Sequence, residues 1–310
     1  MLMDQPIKAP IHLSIAAVER DTGLSKDTLR VWERRYGFPN PERDHFGERI
    51  YSIDQVDRLR AIRRLMDTGY RPGKIIGLSL EDLQALAESV SQPAPIASED
   101  QAADLDQFMN FLKSHEIEDL RRQLSQRVLR LGLARFVTEL VAPLTEKVGD
   151  TWARGQLEIY EEHLFTESMQ VVLRNAISTI PQPGNRPRVL LTTFPSEPHG
   201  MGLLMVEALL ALEGCRCFSL GVQTPVWDIV LASQAQDIDL VVLSFSPVMN
   251  PTLVVDGLTE LRAKLPKSVE IWAGGRCPVL NRRAPDGIRV VTEFAELTKS
   301  VIDWRHRHLL

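Results

Sequence analysis

Between Arg188 and Val291 five short apolar runs, RVLLTTF, RCFSLGV, LVVLSFS, EIWAGG and IRVV, alternate with helical patterns such as GMGLLMVEALLALEG and PTLVVDGLTELRAKL. A strand that returns to its own sheet through a helical crossover lies parallel to its neighbour, so this alternation prescribes a parallel sheet with helices on both faces. Residues 183–310 are therefore expected to form a flavodoxin-like α/β domain with a parallel five-stranded sheet. Sheets of this kind keep ligands at the loops leaving the carboxyl ends of their strands. The loop after the first run reads TTFPSEPHGMG, Thr192–Gly202, and sets a histidine, His199, on such an edge.

The rest of the chain has a different grain. At 310 residues it exceeds a typical single core, and 44% hydrophobic with 25% charged residues marks a globular protein. LRRQLSQRVLRLGLARFVTELVAPLTEKVGDTW spaces its apolar residues helically, so 105–182 are expected to form a four-helix bundle. The breaker-rich SQPAPIASEDQAAD (Ser91–Asp104) marks a linker, taken as 81–104, which separates the bundle from an N-terminal domain at 1–80. Residues 1–80 carry 14 Lys+Arg against 11 Asp+Glu, whereas the chain as a whole has a net charge of −5. A basic end on an acidic body points to a nucleic-acid contact confined to that end. Three cysteines, Cys215, Cys217 and Cys277, suit a reducing compartment and small buried hydrophobes. No run is apolar enough to cross a bilayer and the start lacks a signal-peptide pattern, so a cytoplasmic location without a membrane partner is expected.

LSIAAVERDTGLSKDTLRVWERRYGFP holds two short amphipathic helices joined by TGLS. Gly23 suits the turn, Ser25 the cap of the second helix, and Leu29 and Trp32 its inward face. Lys26, Asp27, Thr28 and Arg30 then point outward from its start, as a recognition helix requires. RYGFPNPERDHFGERIYS follows as a β-wing. The run from SIAAVERDTG to RLMDTGY, with its TLR-x-WERRYG core and R-x-YS-x-x-x-V-x-x-L continuation, resembles the winged helix-turn-helix domain of MerR-family transcription regulators. That resemblance implies binding to double-stranded operator DNA, with Arg30, Arg34, Arg35, Tyr36, Arg43 and Arg49 as contacts beside Lys26 and Thr28. Arginines on such a scaffold mostly grip phosphate, while the outward residues of the second helix read bases.

At the histidine loop, Glu197 stands two residues before His199 and Gly202 three after it. A carboxylate on one imidazole nitrogen orients the other for a metal, and whether Glu197 does so depends on the loop geometry. The stretch is similar to the cobalamin-binding motif Asp-x-His-x-x-Gly of corrinoid proteins, with glutamate for aspartate. The resemblance implies His199 as lower cobalt ligand. It also implies a slot for the displaced nucleotide tail, lined by Ser244 and Ser246 of LSFSP and admitted by Gly274 and Gly275 of AGG. WARGQLEIYEEH places Trp152 nine residues before Glu162 and His163, with Gly155 expected to break the helix between them. This resembles the Trp-x9-Glu-His motif of cobalamin-dependent photoreceptor regulators, the CarH and LitR group, whose tryptophan and Glu-His pair contact the upper adenosyl group. The family pattern has histidine after the tryptophan, and this chain has Ala153.

The resemblance implies a non-enzymatic repressor that binds adenosylcobalamin, self-associates as dimer or tetramer, and releases DNA in light. Two alternatives stay open: a MerR-type regulator that senses cobalamin supply or another ligand without light, and a corrinoid methyl carrier. Glu197 and Ala153 favour the first alternative; the N-terminal DNA-binding pattern weighs against the second.

Overall fold

The computed structural model of the chain describes residues 12–67, 70–90, 99–181 and 186–308. The chain divides into two compact units, residues 1–93 with 153–156, and the remainder.

The first unit starts with strand β1 (His12–Ser14) and helices α1 (Ile15–Thr22) and α2 (Lys26–Tyr36). Each helix starts and stops where its sequence says. Ser14 accepts from the Ala17 N–H and Ser25 from the Thr28 N–H, while Gly23 and Gly37 end the helices at φ 68° and 70°. Strands β2 (Glu42–Arg43) and β3 (Arg49–Ser52) form the wing hairpin, and β1 pairs on the other side of β3. Helices α3 (Ile53–Asp67), α4 (Pro72–Ile75) and α5 (Leu80–Val90) complete the unit. Val18, Leu29, Trp32, Tyr51, Leu59, Ile62 and Leu83 are buried together.

Here the expected linker needs correction. Residues 81–90 belong to α5, whose Leu83 and Ala87 enter the core of this unit. Their i, i+4 spacing makes an apolar stripe, which a flexible tether has no use for. Residues 91–98 lie outside the described residues, and helix α6 (Glu99–Lys113) begins beyond them.

The second unit joins a bundle to an α/β layer structure. Helix α6 is followed by α7 (Ile117–Leu131), then α8 (Leu133–Arg135), a π-helix (Phe136–Val141) and α9 (Ala142–Ala153), which run contiguously, and then α10 (Ile159–Ser178). The π-helix puts Phe136, Val137, Leu140 and Val141 all in the core. Its wider turn is invisible to a 3.6-residue periodicity.

The sheet is built from β4 (Arg188–Thr192), β5 (Arg216–Gly221), β6 (Leu240–Phe245), β7 (Glu270–Gly275) and β8 (Ile288–Val290), all parallel, in the order β5-β4-β6-β7-β8. That is the flavodoxin-like order expected. Helix α11 (Met201–Leu212) connects β4 to β5, α12 (Val226–Ala235) β5 to β6, and α13 (Pro251–Lys264) β6 to β7. Helix α14 (Val279–Arg283) precedes β8, and α15 (Ala295–His308) ends the described chain. Helices α11 and α15 cover one face, with Trp272, Trp304 and Val301 at its centre, and α12 to α14 cover the other around Phe245 and Leu258. Helix α11 is apolar on nearly every side because it is buried twice: Leu203 and Leu210 face the sheet, while Leu204, Met205 and Ala208 join the bundle core. No described helix is long and apolar enough to cross a membrane.

Two glycines test this packing. A Cβ on Gly275, at φ 97°, falls 2.2 Å from the Phe245 carbonyl oxygen, whereas one on Gly149 of α9 meets nothing within 4 Å. Gly275→Ala is expected to destabilise the second unit by about 1–3 kcal/mol. Gly149→Ala should stabilise it by up to about 1 kcal/mol. Urea unfolding followed by circular dichroism checks both.

Candidate functional site

The histidine loop leaves β4 at the carboxyl edge of the sheet, and one buried carboxylate organises it. Glu197 is 1% exposed. Its Oε1 accepts from the His199 backbone N–H at 3.1 Å and lies 2.7 Å from His199 Nδ1. Its Oε2 accepts from both the backbone N–H and the hydroxyl of Ser246, each at 2.7 Å. Burial by itself raises a carboxyl pKa, but the hydrogen bonds from His199 and Ser246 outweigh it, so Glu197 titrates below its ordinary range. The carboxylate thus takes the Nδ1–H of an imidazole whose side chain is 59% exposed at the sheet edge. With that proton at Nδ1, the neutral ring carries its metal-binding lone pair on Nε2.

The loop conformation rests on residues that the sequence left unremarked. Thr193, fully buried, donates its hydroxyl to the Glu197 carbonyl at 2.7 Å and accepts from the Gln223 N–H at 2.8 Å. Thr192 hydrogen-bonds the Thr224 hydroxyl at 2.7 Å. These bonds tie the histidine loop to the loop after β5, and both contain a left-handed non-glycine residue, Ser196 at φ 71° and Gln223 at φ 60°. The doubled threonine before the loop was the one available sequence signal, and it read only as a strand end.

The remaining residues of this edge lie around the ends of β6 and β7. A Cβ on Gly202 would sit 3.0 Å from Ser244 Oγ, so the glycine lets α11 start directly over the end of β6. Ser244 and Gly274 face each other in the β6–β7 ladder, with Phe245 opposite Gly275. Gly274 is closed to a side chain by the Val291 carbonyl at 2.5 Å, so the protein backbone itself demands both glycines. Ser246 anchors Glu197 through both its backbone N–H and its hydroxyl.

In the bundle, α9 ends at Ala153, Gly155 turns at φ 71°, and α10 starts at Ile159, which is the expected break. Trp152 packs half-buried against the bundle core. Glu162 accepts the Thr166 hydroxyl at 2.7 Å and lies 3.7 Å from His163 Nε2, whose side chain is 70% exposed. Glu161 caps α10 through a reciprocal capping box with Glu158, holding the turn that presents this pair. Arg276, next after Gly275, forms a two-armed ion pair with Glu146 of α9 at 2.6 and 2.7 Å, which brings α9 to the same sheet edge as the histidine loop.

In the first unit, Arg30, Arg34 and Arg35 are exposed along α2, with Arg30 paired to Asp27 and Lys26 lying 3.6 Å from Glu19. The Thr28 hydroxyl is 2.8 Å from that of the cap residue Ser25. The Arg49 guanidinium grips Glu33 of α2 with both arms and fixes the wing to that helix. Arg43 closes the wing by donating to the Gly47 carbonyl at 2.6 Å. A cleft of about 490 Å3 beside α2 is lined by Arg35 and Tyr36 and by Arg71 and Lys74 of the RPGK stretch, two cations that sequence reading passed over because they lie beyond the recognition helix.

Burial raises the pKa of all three thiols, that of Cys215 to about 12. No group of three metal-ligating side chains occurs among the described residues. Glu197 has a consequence for stability. A carboxyl whose folded pKa is lowered contributes its stability in full above the ordinary value of 4.5 and loses it as pH falls through the folded value. Acid unfolding of the cofactor-free chain should therefore be shallower in that window for Glu197→Gln, as measured by denaturant midpoints at stepped pH.

Comparison with known proteins bears on the two units as a whole. The profile of the MerR HTH family regulatory proteins matches residues 13–82, and that of the B12 binding domain matches residues 106–176, which is the bundle. The transcriptional repressor CarH of Myxococcus xanthus is 30% identical over 258 residues, covering 82% of this chain and 85% of CarH. The repressor CarA of the same organism is 28% identical over 265 residues, covering 85% and 87%. The monomethylamine corrinoid protein of Methanosarcina barkeri shares its fold with 64% of this chain at a TM-score of 0.50 and 16% identity, over 96% of its own length. With a winged DNA-binding unit, a B12-binding bundle and a flavodoxin-like sheet in one chain, this protein belongs to the family of MerR-type, B12-binding transcriptional regulators that includes CarH and CarA.

Proposed function

We propose that this regulator uses adenosylcobalamin as its signal and represses transcription from double-stranded operator DNA in the dark, with His199 as the lower cobalt ligand. The observation that carries the reading is the Glu197–His199 pair. A buried, ionised carboxylate holds Nδ1 of an exposed imidazole at the carboxyl edge of a parallel sheet, and Ser246 holds the carboxylate. The donor set suits a cobalt that would bring most of its donors with its own corrinoid ring, so the one nitrogen of His199 would suffice to hold it from the protein. Bound adenosylcobalamin supplies a cobalt–carbon bond that light breaks.

The chain's own residues take the following parts in this reading. Gly202, Ser244, Ser246, Gly274 and Gly275 shape the edge that takes the nucleotide tail, and Trp152, Glu162 and His163 contact the adenosyl group from the bundle. Ala153 offers no nitrogen to cobalt, so this chain lacks the second imidazole of the family pattern. The Arg276–Glu146 ion pair connects the two halves of the site, so a change in either is felt by the other. On DNA, Lys26, Thr28 and Arg30 at the start of α2 read bases, and Arg34, Arg35, Tyr36 and Arg43 grip phosphate. Arg49 sets the wing that positions them. Self-association as dimer or tetramer multiplies weak operator contacts by avidity, so its loss alone releases DNA. This places the protein in the cytoplasm with its genes and assigns it no catalytic reaction.

A second reading, regulation by cobalamin supply without light, is favoured by Ala153 alone. One experiment separates the two. Absorbance spectra of the full chain with added adenosylcobalamin, before and after green light, are compared for wild type and His199→Ala, with DNA affinity measured in parallel. The expected result is a cofactor spectrum altered by His199→Ala and a DNA affinity that falls at least tenfold on illumination, a coupling of about 1.4 kcal/mol or more. A spectrum indifferent to the mutation removes His199 as ligand. Retained cofactor with light-independent DNA binding selects the supply reading.

A further inference from the structure

We propose that the wing carries an aromatic wedge: Phe46 enters the minor groove of duplex DNA and stacks on a base step opened beside the sequence read by α2. The inference rests on DNA binding by the first unit and goes beyond it by assigning an apolar, DNA-deforming contact to one residue. The Phe46 side chain is 79% exposed, and its ring lies against the neighbouring His45 ring with centroids 3.8 Å apart. An isolated exposed apolar residue is common on protein surfaces and needs no explanation by itself. The construction of the loop beneath this one sets it apart.

Asp44 organises the tip. Its Oδ1 accepts from the N–H groups of Phe46 and Glu48, both at 2.9 Å, its backbone N–H donates to the Glu48 carbonyl, and its carbonyl accepts from Gly47. Gly47 takes φ 81°, and Arg43 clasps its carbonyl. These bonds span Arg43–Glu48 without using the Phe46 side chain, and the ring joins none of the hydrophobic cores of the described residues. An ordered loop that presents a large apolar group outward is preorganised for a partner, because the ordering entropy is met before binding.

The partner is DNA. The two arms of Arg49 on Glu33 make the wing rigid with α2, so whatever duplex meets the exposed cations Arg30 and Arg34 of that helix also meets the wing tip. Beside a helix in the major groove, a wing reaches the adjoining minor groove. There an apolar side chain gains by displacing a base from its neighbour, and flexible pyrimidine–purine steps yield first.

The test uses the full chain with adenosylcobalamin in the dark and a duplex selected by that chain from a random-sequence pool, with 2-aminopurine placed at successive steps. Binding of wild type is expected to raise 2-aminopurine fluorescence at one step flanking the α2 site. Phe46→Ala should abolish that rise and weaken binding about tenfold, at the lower end of base–aromatic stacking. It should leave the slope of log affinity against log salt unchanged, because stacking releases no counterions. Phe46→Trp should retain both the rise and the affinity. A wild-type complex with no fluorescence rise at any step, or an Ala variant equal to wild type, overturns the wedge while leaving DNA binding by α2 intact. Recovery of no duplex from the pool overturns both.

Discussion

A buried carboxylate at the end of a parallel sheet is expensive unless every lone pair is engaged, and Glu197 meets that condition with four hydrogen bonds from two residues. Two come from His199 and two from Ser246, forty-nine positions away on the far side of α11 and β5. The carboxylate therefore does three things at once. It closes the histidine loop onto the end of β6, chooses which imidazole nitrogen bears the proton, and leaves the ring at the edge where the bundle arrives through Arg276 and Glu146. Removing either partner would strand a charge where water cannot reach it.

The same logic of fixed backbone and committed side chains recurs at the other end of the chain. Glu33 is to the wing what Glu197 is to the histidine loop, a carboxylate that binds the element in one orientation. In both places an element near the surface, the His199 imidazole or the wing, is oriented by a carboxylate that is itself buried or half-buried. Such positioning reduces the ordering that binding must impose.

Much of this was legible beforehand. Gly23 marks the end of α1 and Ser25 the start of α2 because caps and left-handed turns have local chemistry, and the central strands β4 and β6 announce themselves because buried parallel strands are largely apolar. The linker was misjudged at both ends, since 81–90 belong to α5 and 99–104 to α6. Gln, Pro, Ala and Ser after residue 90 drew attention away from the Leu83–Ala87 stripe, whose value appears only when the core of the first unit is there to receive it. The π-helix was illegible for a related reason. Its hydrogen bonds follow a five-residue step that leaves no periodic trace over six residues.

By itself the sequence determined the order of the parts: a winged helix-turn-helix, a bundle, a five-stranded sheet, and a histidine on the loop after the first of those strands. Local capping, periodicity and motif spacing are short-range properties, and they suffice for that. Only the tertiary structure decided what the individual side chains do. It gave Ser246 to Glu197, Thr193 to both loops, Arg49 to Glu33, and Gly274 and Gly275 to the backbone packed against them. These assignments join residues far apart in sequence, and a hydrogen bond of 2.7 Å exists only once folding has brought both ends together.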